Sequence, residues 1–401
     1  MKNSKFKTKP LFAAAKLIII SAVFLAAPLN GLCDVVPGDV HLSEYLPMLA
    51  GKRVALVVNQ TAVIGRTSLV DTLLSLKVNI RKIFAPEHGF RGDEEAGAKV
   101  ADAVDKKAGL PVISLYGSHF KPSPADMADI DVVVYDIQDV GVRFFTYIST
   151  LHYVMEACAE NKKELIVLDR PDPNGFYVDG PVLEKGFSSF VGMDPVPIVY
   201  GMTCGEYAQM LNGEGWLPNA EKCDLHIIKT EGYTHKTQYD LPVPPSPNLG
   251  TMAAVYLYPS LGLFEGTNIS VGRGTRIPFE VLGEPGFADG DTEFTPISIP
   301  GKADNPMYKD QLCKGIHLTR FANDFIKNSS QLYLFWLTGF YKDAADKSKF
   351  FTSFFDKLAG TDQLRKQIEQ GMTPEDIHKS WKPGLDAFKK IRKKYLLYAD
   401  F

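Results

Sequence analysis

The sequence predicts an α/β fold, with a Rossmann-like, doubly wound parallel sheet as N-terminal domain and a smaller α+β C-terminal domain. Three observations carry this expectation. Short, continuous Val/Ile/Leu runs recur through the first half, as strands covered on both faces require. Helical stretches separate them, so successive strands run parallel. After Asp172-Pro-Asn-Gly175 the alternation gives way to proline-dense turns. The 401 residues suit two or three domains at roughly 150 residues each. An apolar fraction of 45% and a charged fraction of 23% exclude a disordered, collagen-like or multi-span membrane chain. A net charge of −3 offers no basic excess for nucleic acid.

In chain order, Lys2, Lys5, Lys7, Lys9 and Lys16 precede an apolar run from Leu17 to Leu29, closed by Asn30-Gly31-Leu32-Cys33. This is the layout of a secretory signal peptide, and the run is short for a membrane span. Residues 1–33 are expected to leave, taking five lysines and no acid, so the remainder carries −8. The protein is therefore expected outside the cytoplasmic membrane, periplasmic or secreted. A membrane link would come only from a retained N-terminal anchor helix or from a lipid on Cys33, and Leu32 is a poor residue before a lipidated cysteine. The other cysteines, Cys158, Cys204, Cys223 and Cys313, form no CxxC pair and read as small buried hydrophobes.

Residues 34–185 are expected to form the Rossmann-like domain. Arg53–Asn59, Ile80–Phe84, Val112–Tyr116, Asp131–Asp136 and Glu164–Asp169 read as its strands. Thr67–Leu76 and Thr146–Asn161 read as helices, the first with Leu69, Leu73 and Leu74 near 3.6 spacing. Residues 186–401 are expected to complete a cleft. Gly205–Leu211 reads as a helix and Asp224–Lys229 as a strand, while 240–310 reads as loop and short strand. Thr373-Pro374 marks the start of a last helix with Leu385, Phe388, Ile391 and Tyr395 on one face. The basic run Lys389–Lys394 reads as its solvated face.

In open parallel sheets, ligands bind beyond the carboxyl ends of the strands. The first strand ends in Asn59-Gln60-Thr61 and the second in Glu87-His88-Gly89. The fourth ends in Asp136, Gln138, Asp139 and Arg143, and the fifth in Asp169, Arg170 and Asp172. Four such tips point to a functional cleft. No GxGxxG follows the first strand, and neither a Walker A sequence nor HExxH occurs. Asp136, Asp139 and Asp169 suit Mg²⁺ by ligand type, but Arg143 and Arg170 in the same loops compete with a cation. Interleaved carboxylates and arginines suit a polar, anionic organic substrate, so no metal and no cofactor are expected. Glu87, between a proline and a histidine, is the candidate catalytic acid; its pKa would be raised by burial or by Asp136 and Asp139. A second dense stretch, Phe264–Phe279, holds Glu265, Asn268, Arg273, Thr275 and Arg276 among glycines. Those glycines suit close approach of backbone to a ligand, and Gly272 and Gly274 with the arginines suit an anion-binding loop.

Several motifs resemble one family. They are Ala85-Pro-Glu-His-Gly-Phe-Arg-Gly92, Tyr135-Asp-Ile-Gln-Asp-Val-Gly-Val-Arg143 with Thr146-Tyr147, Leu168-Asp-Arg-Pro171, Gly201-Met-Thr203, Ser246-Pro-Asn248, and Glu265-Gly-Thr-Asn268 with Gly272-Arg-Gly-Thr275. In this order they resemble the NamZ-type peptidoglycan exo-β-N-acetylmuramidases, from about residue 50 to Tyr395-Leu-Leu-Tyr398. The resemblance implies release of terminal, non-reducing β-1,4-linked N-acetylmuramic acid from peptidoglycan-derived muropeptides or disaccharides. It implies Glu87 as catalytic carboxylate, with His88, the Gln138-Asp139 loop and Arg143 around it. Two positions depart from the family pattern: Val271 where an acid is usual, and Asp172 where Asn is usual.

Glycoside cleavage commonly takes two carboxyl groups, so Glu87, His88, Asp136 and Asp139 form the expected catalytic set. The partner acid is sought among Asp136, Asp139, Asp169 and Glu265. Asn59, Thr61, Gln138, Arg143, Tyr147, Asp169, Arg170, Glu265, Asn268, Arg273 and Thr275 form the expected substrate-binding set. Muramic acid carries a lactyl carboxylate, for which a forked guanidinium is the expected reader. Arg143, Arg170, Arg273 and Arg276 are the candidates, Arg143 and Arg273 foremost. The competing readings are a metal-dependent esterase or deacetylase built on Asp136, Asp139 and Asp169, and a non-catalytic muropeptide-binding protein.

Overall fold

Seven strands form the central sheet, and six of them run parallel. β1 (Val54–Val58) is followed by a two-residue ribbon, β2 (Val63–Ile64) with β3 (Thr67–Ser68). Then come β4 (Ile80–Ala85), β5 (Ala103–Asp105), β6 (Leu110–Ser114), β7 (Val132–Asp136), β8 (Glu164–Leu168) and β9 (Asp224–Ile228). The order across the sheet is β5-β6-β4-β1-β7-β8-β9, with β5 antiparallel at one edge. Counting only the parallel strands gives the Rossmann order 3-2-1-4-5-6, whose direction of winding reverses between β1 and β7. This computed structural model describes residues 34–91, 103–288 and 290–401. The expected signal peptide lies outside them. No helix among the described residues is long and apolar enough to cross a membrane.

Side chains alternate across the sheet and build two cores. Val54, Leu56 and Val58 of β1 join Val132, Val134, Ile166 and Leu168 on one face. Ala55 and Val57 join Val133, Tyr135, Leu165 and Val167 on the other. Both faces are covered, which is why the strands read as unbroken apolar runs rather than as alternation. The helix Tyr147–Glu160 lies on the second face, and Thr203 caps the helix Cys204–Glu214 by accepting from the Glu206 N–H.

Three sequence expectations are corrected here. The large sheet does not stop near residue 185: β9 pairs parallel with β8 from Glu164↔Asp224 to Leu168↔Ile228, and Val35–Phe401 form a single compact unit. The segment 240–310 contains a buried helix, Met252–Leu261, continued by a tight turn at Gly262–Gly266. It is apolar on all sides and carries Pro259, so it shows no helical period to read. The last helix does run Pro374–Arg392 from its Thr373 cap. Arg392, however, is buried: it donates to Gly201 O at 2.7 Å and pairs with Asp400 at 2.8 Å, so the basic run is solvated only around it. The smaller sheet is antiparallel: β10 (Val281–Glu284), β12 (Cys313–His317) and β11 (Thr292–Phe294), in that order. Cys158, Cys204, Cys223 and Cys313 are all buried free thiols.

Candidate active site

The chain leaves β4 at Ala85 and turns through Pro86–Phe90. His88 takes the left-handed conformation, φ +70, and Gly89 follows at φ +76. For a residue with a Cβ this conformation costs about 1–2 kcal/mol. The turn sets Glu87 and His88 into a cavity of about 370 Å³ at the carboxyl edge of the sheet. Thr146, just before the helix Tyr147–Glu160, donates its hydroxyl to Glu87 Oε2 at 2.5 Å. The Tyr116 hydroxyl, past the end of β6, hydrogen-bonds the same carboxylate. His88 Nε2 lies 3.4 Å from the Ser246 hydroxyl. Across the cavity Glu265 Oε1 accepts from Arg273 Nε at 2.7 Å, and Arg273 lies 5.1 Å over the Phe279 ring. That bond engages only Nε of the guanidinium. Phe120, Phe144, Phe145, Tyr147, Phe190 and Tyr258 complete the walls.

Of the expected site residues, Glu87, His88, Tyr147, Glu265 and Arg273 meet in this cavity. The others are placed elsewhere, each with its own task. Arg170 is clamped between two buried carboxylates: it donates to Asp136 Oδ1 at 2.5 Å and to Asp39 Oδ2 at 2.8 Å. Burial pushes both acids up, Asp39 to about 7, against the pull of the guanidinium. Asp136 is therefore held by Arg170 inside the protein and does not line the cavity, so it is not placed as a catalytic partner. Asp169 holds the start of the helix Cys204–Glu214, accepting from Gly205 N–H at 2.8 Å, Thr203 Oγ1 at 2.7 Å and Tyr398 OH at 2.6 Å. Burial raises it to about 6 while these bonds oppose the rise. Asp139 accepts from Gly141 N–H at 2.7 Å and from the Tyr200 hydroxyl, and burial raises it to about 6.

Arg143 is fully buried and donates to four carbonyls, those of Pro181, Val196, Leu358 and Ala359. Burial without a facing carboxylate lowers it to about 9. It braces two loops and the end of the helix Phe355–Ala359, and it does not line the cavity where a substrate anion would bind. Asn59 Oδ1 accepts from Thr61 N–H and hydroxyl at 3.0 and 2.5 Å, Thr61 Oγ1 accepts from Gln138 N–H at 3.0 Å, and the Gln138 amide donates to Pro171 O at 2.7 Å. These residues lace the ends of β1, β7 and β8 together. Asn268 pairs with Glu284 at 3.3 Å, while Thr275 and Arg276 line a neighbouring cavity of about 310 Å³.

The glycines of the second stretch also serve packing. A Cβ on Gly272 would meet Val281 Cγ2 at 2.4 Å, and one on Gly274 would meet Ile297 O at 2.5 Å, both at positive φ. The loop is tight because protein fills the space, and its two arginines face different cavities, so it is not one anion-binding loop. Tyr116, Phe120, Phe190 and Tyr258 were not legible as site residues. Tyr116 ends the third strand, the one strand whose tip carries no ionisable cluster. The aromatic residues carry no charge that would single them out.

Val271 is buried in the core and Asp172 lies under Gly141, so neither departure from the family pattern enters the cavity. Asp172 Oδ1 accepts from Asn174 N–H at 2.9 Å. Burial, then Asp139, pushes its carboxyl well up. The unfolded chain ionises at about pH 4, while folded Asp172 keeps its proton far above that. Rising pH therefore favours the unfolded state at this position. Asp172→Asn removes the ionisation and is expected to stabilise the fold by about 1–2 kcal/mol at pH 7.5, a gain that vanishes near pH 4. Urea melts at the two pH values check this; an equal effect at both would exclude the titration as its source.

A Rossmann-order sheet with no GxGxxG after β1 here carries, at its strand ends, a crevice with two carboxylates and aromatic walls, the arrangement of groups that glycoside hydrolysis uses. The comparisons agree. The family model described as exo-beta-N-acetylmuramidase NamZ matches in two parts, N-terminal over residues 54–253 and C-terminal over 256–398. The chain is 40% identical over 389 residues to the peptidoglycan beta-N-acetylmuramidase NamZ of Bacillus subtilis strain 168, covering 90% of each chain. Two crystal structures of DUF1343 family proteins from Bacteroides fragilis NCTC 9343 share the fold. One is 45% identical, with TM-score 0.86, covering 92% of this chain and all of that one. The other is 34% identical, with TM-score 0.78, covering 91% and 99%. The chain belongs to the NamZ exo-β-N-acetylmuramidase family, a family of glycosidases.

Proposed function

We infer that the chain is an exo-β-N-acetylmuramidase that removes terminal, non-reducing N-acetylmuramic acid from β-1,4-linked peptidoglycan fragments, with Glu87 as its proton donor. The observation that carries the reading is Glu87 itself. It is 8% exposed, faces the cavity, and is oriented by the Thr146 and Tyr116 hydroxyls with Glu265–Arg273 opposite. In the reaction the Glu87 carboxyl proton passes to the glycosidic oxygen as the bond from C1 to that oxygen breaks. Water supplies the new oxygen at C1 and returns a proton to the site. Glu265 is the only other carboxylate lining the cavity among the described residues, which makes it the candidate second carboxyl.

Arg273 is the only arginine or lysine lining the cavity among the described residues. Its Nη groups, which hydrogen-bond to no side chain among the described residues, suit the lactyl carboxylate, whose burial without a cation would cost several kcal/mol. The test uses matched chromogenic glycosides with and without the lactyl group. Wild type is expected to turn over the muraminide preferentially, in the presence of chelator. Arg273→Lys keeps the charge and loses the fork, so kcat/KM on the muraminide should fall about tenfold and on the glucosaminide much less. No muraminide turnover by wild type would sink the assignment; equal losses on both substrates would remove Arg273 as reader. Peptidoglycan lies outside the cytoplasmic membrane, and the N-terminal lysines and apolar run support export, hence a periplasmic or secreted protein acting in cell-wall turnover.

A further inference from the structure

The Glu87 cavity has two aromatic walls that differ in exposure. Phe145, Tyr147, Tyr258 and Phe279 are buried and meet edge-on, Phe145 to Tyr147 at 4.7 Å and Tyr258 to Phe279 at 5.0 Å. This wall adjoins Arg273, which lies over Phe279. The other wall is Tyr116, Phe120 and Phe190, each half-buried. Phe120 and Phe190 lie 4.3 Å apart, and Tyr116 meets them edge-on at 5.8 and 5.7 Å. Tyr153 backs both phenylalanines, stacked at 6.3 Å. Glu87 sits where the walls meet. It takes a hydrogen bond from Tyr116 on one side and, on the other, from Thr146, the residue before Tyr147.

We propose that Tyr116, Phe120 and Phe190 form the platform for the sugar on the leaving side of the bond, a neutral N-acetylhexosamine (N-acetylglucosamine in peptidoglycan). This rests on the glycosidase reading of Glu87. A proton donor must reach the glycosidic oxygen, which lies between the two sugar rings, so the two sugars occupy opposite sides of Glu87. The side with the cavity's cation takes the charged, terminal sugar. The other side offers uncharged ring faces, on which the C–H face of a sugar buries apolar surface without placing its hydroxyls against carbon. Its half-exposure also fits a sugar that continues into a longer chain, whereas the buried wall fits a terminal unit.

The test compares wild type with Phe120→Ala, Phe190→Ala and Phe190→Tyr, each first shown to melt near wild type. Substrate is the muramyl–glucosaminyl disaccharide, and each monosaccharide product is used as an inhibitor. The alanine variants are expected to raise KM and weaken inhibition by N-acetylglucosamine about three- to tenfold, with inhibition by N-acetylmuramic acid within twofold of wild type. Phe190→Tyr keeps a ring face and should restore both values. Equal weakening by both sugars, weakening by muramic acid alone, or no change overturns the platform. Absence of turnover in wild type would instead sink the glycosidase reading, and direct titration of the two sugars into wild type and variants then still reads the same split.

Discussion

Glu87→Gln is expected to lower kcat/KM on an unactivated disaccharide by about 100-fold or more, the scale of general acid catalysis. The substitution keeps the shape of the side chain. Its amide oxygen can still accept the 2.5 Å bond from Thr146, so the local turn and the melting temperature should hold. The loss should shrink on an aryl muraminide whose leaving group needs little protonation. That contrast separates a proton donor from a residue that only shapes the pocket, because a shape defect would slow both substrates alike. Near-full activity on the disaccharide would remove Glu87 from the mechanism.

The largest stability effect is expected at Arg170, which the sequence suggested as a ligand-binding residue and the structure buries at 4% exposure. Arg170→Met leaves Asp39 and Asp136 facing each other without their cation. Breaking a buried ion pair from one side costs about 3–5 kcal/mol, because the remaining charge stays buried and uncompensated. Without Arg170 both acids would bind protons more tightly in the fold than in the unfolded chain. The destabilisation should therefore be greatest at pH 7–8 and diminish toward about pH 4, where the unfolded chain also holds those protons. Urea melts across this range measure it. The folded fraction should keep its KM, since Arg170 does not line the cavity; a raised KM at unchanged stability would return it to the binding site.

Much of the fold was legible. Val54–Val58, Val132–Asp136 and Glu164–Leu168 were readable because strands buried on both faces are short, nearly continuous Val/Ile/Leu runs, and the β-branched residues in them favour strand over helix. The start of the last helix was readable because a capping threonine followed by proline is a local signal, independent of what packs against it. The helix Met252–Leu261 was not, because burial on every side erases the period that marks a helix. The membership of Asp224–Ile228 in the large sheet was not, because pairing with β8 is a long-range choice that leaves no local mark.

The site divides along the same line. By itself the sequence determined that ionisable residues gather at strand ends, and it brought out Glu87 beside His88, and Glu265 and Arg273 within one glycine-rich stretch. Those follow from chain direction and loop chemistry, which are local. Only the tertiary structure decided which charges face solvent and substrate and which face one another. Asp136, Arg170, Asp169 and Arg143 have the composition of an active site, yet each is buried and hydrogen-bonded to protein partners. The physical reason is that a charge is expensive to bury alone, so a fold that buries one must surround it with counter-charges, N–H groups or carbonyls. The partners arrive from Asp39, Thr203, Tyr398, Leu358 and Ala359, as many as 229 residues away along the chain. A strand-end carboxylate that will be neutralised in this way and one that will meet substrate look the same until the distant segments are in place.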